Sequence, residues 1–158
     1  RKALFTQVDF MATLAEAADV KLPDGASPDG ASELSAFTDP VRTPGKRTET
    51  LFLGTGGFAL RQYDWVFLPK QGSCGMTVQV PPAAQWGVPY ERLGLSASGV
   101  DATGSPLPDA PAVQLYDLKH DMNQAENMAV KDPVRAEEMR VRLESLIGKK
   151  HALRKSNK

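Results

Sequence analysis

Between residues 113 and 148 the chain has few ways to fold. Val113 to Asp117 is a short apolar run with strand character, and a polar turn follows it. An amphipathic helix then opens at Asp132-Pro133. Asp132 suits the N-cap and Pro133 the first helical position, where a missing N–H costs nothing and φ is already helical. Val134, Met139, Leu143, Leu146 and Ile147 recur at helical spacing. Glu137, Glu138, Arg140, Arg142 and Glu144 lie mostly off that stripe, so the helix is predicted to cover a sheet. Gly148 is its expected C-cap.

The remaining strands lie upstream. Thr50 to Leu53 is a short apolar run, and Phe58 to Gln62 alternates. Tyr63-Asp64 reads as a tight turn, and Trp65 to Leu68 resumes the strand pattern, which together predict a hairpin. Phe58, Leu60, Trp65 and Phe67 are the expected buried face. Residues 6–19 read as a helix. Thr6 and Asp9 match a capping box, and Met11, Leu14, Ala15 and Ala18 form an apolar stripe. Lys21 to Gly25 ends it. Residues 23–50 are loop, with a helical turn expected at 32–37 capped by Ser32. The expected fold is α+β: a small antiparallel sheet of about four strands packed by a C-terminal helix and preceded by one helix. No internal repeat is read in the chain.

Composition narrows the function. Its 158 residues, 41% of them hydrophobic, suit one soluble domain with a moderate core. Nineteen basic and nineteen acidic residues balance, so the overall charge gives no nucleic-acid or anionic-membrane footprint. No apolar run is long enough for a membrane helix. The basic tail, residues 149–158, is read as a solvated end. Cys74 is the single cysteine, so no intrachain disulfide forms. The first five residues do not make a signal peptide, and a chain beginning at Arg1 looks cut from something longer.

Residues 69–112 are punctuated by proline and glycine, with strand character only at Met76 to Val80. A loop of that length inside a compact domain is usually functional or disordered. Cys74 has only Lys70 nearby to activate it and is read as passive. His120 and His151 lack partners at zinc-ligand spacing. Asp117 and Asp121 are either two ligands of an oxygen-rich cation site or, the preferred reading, a strand end and a turn cap. Gly54-Thr55-Gly56-Gly57 is a tight connection and matches no phosphate-binding fingerprint. Arg61, Tyr63, Trp65 and Lys70, and Trp86, Tyr90 and Arg92, pair aromatic rings with cations, a composition suited to sugars or sulfate groups. Trp65 is read as core. For Trp86 the core-anchor and ligand readings stand close.

Several motifs, in order, resemble the sulfatase family. Gln7 to Glu16 is similar to its Val-Asp-Leu-x-Pro-Thr-Leu-x-Glu helix. Val20 to Pro23 followed by Pro28 to Ser32 resembles its Leu-Pro and Pro-Asp-Gly-x-Ser continuation. Phe58 to Phe67 resembles its Ala-Leu-Arg-x-Gly-Asp-Trp hairpin. Leu115 to Ala129 resembles its Leu-Tyr-Asp-Leu…Asp-Pro-x-Glu-x-x-Asn-Leu-Ala segment, and the closing helix completes the pattern. Asp9, Arg61, Trp65, Tyr116, Asp117 and Asn127 are the motif positions it assigns to structure.

The resemblance implies a two-part enzyme acting on sulfate esters. A large α/β part carries formylglycine and a calcium ion, and a smaller C-terminal part has a four-stranded sheet and helix. Residues 1–22 then correspond to the last helix of the large part, 23–50 to a linker, and 51–148 to the smaller part with a long insertion at 69–112. Calcium and formylglycine belong to the absent part, so this chain binds neither and carries no catalytic residue. Cys74 lacks the proline and arginine of the formylglycine motif. The implied partners are the N-terminal domain of the same polypeptide and a sulfated carbohydrate, and the implied location is periplasmic or extracellular. Relatives place a His pair where Leu51 and Phe52 stand, which makes these two, with Trp86, the candidate substrate contacts. The family's proline and glutamate after Asp121 are Met122 and Gln124. A non-catalytic glycan-binding or structural module is the alternative.

Overall fold

A computed structural model describes residues 3–39, 45–54, 57–70, 99 and 107–156, with backbone alone for 149–156. The chain divides into two compact units, Arg1–Thr50 and Leu51–Lys158.

The first unit is built on charge and small helices. Its 3-10 turn at Gln7–Asp9 leads into α1, Phe10–Ala17. Asp9 reaches back to the Thr6 amide at 2.9 Å, as the capping pattern predicts. The expected single helix over 6–19 is thus a 3-10 turn joined to a shorter α-helix. It closes where Asp19 turns left-handed at φ 53 and the Val20 amide donates to Ala15 O at 2.8 Å. Aspartate is among the few residues that tolerate this conformation.

The helix is polar on its inner side. Asp9 and Thr13 are buried, while Val8, Phe10, Met11 and Leu14 are 47–62% exposed. Thr13 Oγ1 accepts the Glu33 amide at 3.1 Å, which pins the start of α2, Leu34–Thr38. Glu33, rather than the expected Ser32, stands at its N-cap, though Ser32 Oγ accepts the Leu34 amide at 3.3 Å. Phe5 meets Phe10 and Phe37 edge-on, with ring centres 4.8 and 5.2 Å apart.

The loop between the helices holds a short tandem repeat, contrary to the expectation of none. Pro23-Asp24-Gly25-Ala26-Ser27 is followed at once by Pro28-Asp29-Gly30-Ala31-Ser32. The first copy is an open turn closed by the Ala26 amide on Pro23 O at 3.1 Å, with Gly25 at φ 76 and nothing within 4 Å of its would-be Cβ. The second is wedged in place. A Cβ on Gly30 would lie 2.3 Å from Val8 O, so only glycine fits.

In the second unit the strands β1 (Glu49–Gly54, whose first residues belong to the first unit), β2 (Gly57–Gln62), β3 (Trp65–Leu68) and β4 (Gln114–Asp117) lie in chain order in one sheet. The β2–β3 register pairs Leu60 with Phe67 and Gln62 with Trp65, which leaves Tyr63-Asp64 as the turn. Tyr63 takes φ 51, the positive value that two-residue hairpins demand. β3 pairs antiparallel with β4, Phe67 opposite Leu115 and Val66 opposite Tyr116.

Helix α3, Pro133–Ser156, covers one face of this sheet. Ala136, Met139 and Leu143 pack on Leu60, Phe67 and Leu115, with Trp65, Leu146 and Ile147 around them. Ala59, Val66, Leu68, Tyr116 and Leu118 form a second buried cluster, and side-chain alternation places it on the other face. Burial on both faces explains why Val66, Phe67 and Leu68 are all inside. The architecture is the expected small α+β arrangement.

Three details differ from expectation. Phe58 is 41% exposed and Val134 is 68% exposed, so Ala136 rather than Val134 faces the sheet at the start of α3. The helix also runs through Gly148, which a helix interior tolerates at modest cost. The N-terminal end is as predicted: the Arg135 amide donates to Asp132 Oδ1 at 3.1 Å.

Candidate functional site

The densest polar arrangement among the described residues lies in the first unit, around Asp9. Its carboxylate is fully buried. Thr6 donates from its amide and its hydroxyl, and Ala31 donates from its amide. Arg47 grips the carboxylate in bidentate fashion, Nε on Oδ2 at 2.7 Å and Nη2 on Oδ1 at 2.5 Å. Burial alone would raise the Asp9 pKa. The Arg47 guanidinium, with the Ala31 and Thr6 donors, outweighs it and lowers the value from 3.8 to about 2. Arg47 also donates to Asp29 O at 2.7 Å, which fastens the second Pro-Asp-Gly-Ala-Ser copy.

Glu33 is equally buried and is held by backbone alone on one side. Its carboxylate accepts the Lys46 and Arg47 amides at 2.7 and 2.5 Å. Gly45, at φ 88, makes the approach possible, since a Cβ there would lie 2.7 Å from Glu33 Oε2. Asp9 and Glu33 thus clasp the 45–47 segment onto α1 and α2. This is an architectural arrangement, with every Asp9 oxygen already engaged.

In the second unit, the turn after β4 gathers Asp117, His120 and Asp121. Asp117 Oδ1 accepts the Lys119 amide at 3.0 Å, and Oδ2 meets His120 Nδ1 at 2.7 Å. The His120 contact outweighs burial and, with the Lys119 amide, holds the Asp117 carboxyl below its usual range. Asp121 Oδ2 accepts the Glu126 amide at 2.8 Å. These bonds match the strand-end and turn-cap reading. No group of three His, Cys, Asp or Glu side chains capable of holding a metal ion occurs among the described residues. Both carboxylates are tied into the turn.

Asn127 explains much of the stretch from Leu115 to Ala129. Its Oδ1 accepts the Leu115 and Ala129 amides, and its Nδ2 donates to Val113 O, all at 3.0 Å. The Met128 amide donates to Leu115 O at 2.7 Å, and the His120 and Asp121 amides donate to Asp117 O. β4 stands at the end of the sheet order, so these bonds occupy its outer edge with the chain's own loop. A bare edge is a template for unwanted pairing.

The sequence-derived candidates do not converge. Leu51 packs against the α3-facing core, whereas Phe52, on the opposite face of β1, is 38% exposed. Trp86 lies outside the described residues, as do Cys74, Tyr90, Arg92, the Met76 to Val80 segment and the side chain of His151. Arg61 donates from Nε to Tyr63 O at 3.1 Å and stiffens the hairpin turn. Trp65 carries the Arg135 guanidinium 4.4 Å above its ring, at the core margin. Tyr116 is wholly buried. Arg47 and Glu33 were missed. A buried charge within a polar loop has no periodicity, and the one available signal was glycine beside charge at Gly45-Lys46-Arg47.

The fold is of the sulfatase type. A sulfatase from the core genetic locus by which Bacteroides thetaiotaomicron metabolises multiple glycosaminoglycans matches 91% of this chain, with a TM-score of 0.57 and 24% identity. The chain spans about a quarter of that protein, 25% of its length. No protein-family profile matches the sequence. No curated protein matches it either.

Proposed function

We propose that this chain is the non-catalytic C-terminal part of a sulfuric ester hydrolase, acting in the whole protein on sulfated carbohydrate. The observation that carries the reading is the match of 91% of the chain to a quarter of a sulfatase. The sequence motifs at Gln7 to Glu16, Pro28 to Ser32, Phe58 to Phe67 and Leu115 to Ala129 support it independently of shape. The neighbour's place in a glycosaminoglycan locus supports the choice of carbohydrate.

In this reading the nucleophile, a formylglycine, and the calcium ion reside in a preceding domain. There, charge building on the sulfate group would be stabilised by the metal. The present chain contributes the cleft rim and a docking face. Helix α1 supports that role: Val8, Phe10, Met11 and Leu14 are exposed while Asp9 and Thr13 are buried, the reverse of a surface helix. An N-terminal domain of the same polypeptide covers that face, and the whole enzyme works in the periplasm or outside the cell.

The test is hydrolysis of an aryl sulfate by the purified 158-residue chain. No turnover is expected at any pH. Measurable turnover removes the proposal. A glycan array on the same preparation separates it from a free-standing glycan-binding module, because strong binding lost in Trp86→Ala favours the module.

A further inference from the structure

The tandem Pro-Asp-Gly-Ala-Ser copies give an internal comparison, with identical local chemistry in two different environments. An aspartyl-glycyl bond can isomerise. The glycine amide nitrogen attacks Cγ of the preceding aspartic acid, an N–Cγ bond forms, and the carboxyl oxygen leaves as water, which closes a succinimide. Water then opens the ring. Attack at the α-carbonyl leaves the chain linked through the β-carboxyl, with the α-carboxyl free. No oxidant, metal or second substrate enters, and the mass of the protein is unchanged.

The first copy is free to do this. Asp24 and Gly25 are exposed, and space around Gly25 is open to 4 Å. None of the hydrogen bonds found among the described residues uses the Gly25 amide; the turn closes through the neighbouring Ala26 amide. Glycine also places no side chain beside the attacking nitrogen.

The second copy is held on every side. The Gly30 amide, the would-be nucleophile, donates to Ser27 O at 3.2 Å. Asp29 O is bound by Arg47 at 2.7 Å, and the Ala31 amide by Asp9 at 3.0 Å. Gly30 itself is pressed against the backbone of Val8. Ring closure there requires the backbone to rotate, which breaks these bonds together.

We infer that Asp24-Gly25 is a site of spontaneous isoaspartate formation and that the Arg47–Asp9 clasp protects Asp29-Gly30 from the same reaction. The inference stands apart from the sulfatase reading, since it depends only on the loop and the clasp.

One tryptic peptide, Leu22 to Arg42, carries both bonds. The purified chain is aged at neutral pH and physiological temperature, and the position of each isoaspartate is read by electron-transfer fragmentation. Isomerisation at Asp24 is expected to outrun that at Asp29 by about tenfold or more, the factor that one charge-assisted hydrogen bond supplies. In strong denaturant the two rates should converge. In Arg47→Ala the rate at Asp29 should rise while that at Asp24 holds. Equal rates in the folded chain, faster reaction at Asp29, or a difference that persists in denaturant would each overturn the inference.

Discussion

Replacing Arg47 by alanine tests the clasp that organises the first unit. Asp9 is fully buried, and Arg47 supplies two of its five donors. Removing one partner of a buried ion pair typically costs about 3–5 kcal/mol, because the remaining charge is stranded. The carboxyl gives a second handle. Its pKa is lowered from 3.8 to about 2, which corresponds to about 2 kcal/mol of stability at neutral pH. A depressed folded pKa means this contribution is complete above 3.8 and is lost as pH falls towards 2. In Arg47→Ala the folded pKa moves back toward the unfolded value, because burial acts with its main opponent removed, so this acid-dependent loss should shrink. Hydrogen exchange at the Ala31 amide, which donates to Asp9, reports on this unit directly. Its protection should drop by between about a hundredfold and about four thousandfold at neutral pH. A drop below tenfold, with the acid profile unmoved, would refute the clasp as the source of order.

Other consequences follow the same logic. Asn127→Ala removes three hydrogen bonds, one of them on the β4 edge, and leaves the buried Leu115 amide unpaired; a loss of about 2–4 kcal/mol in urea unfolding is expected. Leu143→Ala should cost about 2–5 kcal/mol, whereas Val134→Ala, on the exposed side of the same helix, should stay within about 0.5 kcal/mol. Gly30→Ala should destabilise by more than Gly25→Ala, since the first meets the Val8 carbonyl and the second meets only backbone strain of about 1 kcal/mol; exchange protection at Ala31 against that at Ala26 reads the difference. Met11→Glu with Leu14→Glu should suppress concentration-dependent self-association in sedimentation without changing the circular dichroism spectrum, because both side chains lie on the exposed apolar face.

Elements set by local chemistry were legible in the sequence. The β2–β3 hairpin and the start of α3 carry turn and cap residues that act on their immediate neighbours, and they appear where expected. The misplacements share a cause. Periodicity points Phe58 and Val134 inward, yet burial depends on what lies opposite, and Ala136, not Val134, packs on the sheet. Gly148 suggests a stop because glycine often caps helices, but the backbone there keeps helical geometry. The Asp9–Arg47–Glu33 clasp joins residues up to 38 positions apart, and no short window contains it. Leu51 and Phe52, which the sulfatase resemblance sets together, lie on opposite faces of β1.

Under the proposed function, this fold serves a sulfatase whose active centre lies in a preceding domain. The most direct measurement expresses the complete reading frame containing this chain and assays aryl-sulfate hydrolysis beside the 158-residue protein. Activity is expected in the longer product alone, abolished when the cysteine of an upstream C-x-P-x-R motif is changed to alanine. Turnover by the short chain, or a longer product with neither that motif nor activity, would contradict it.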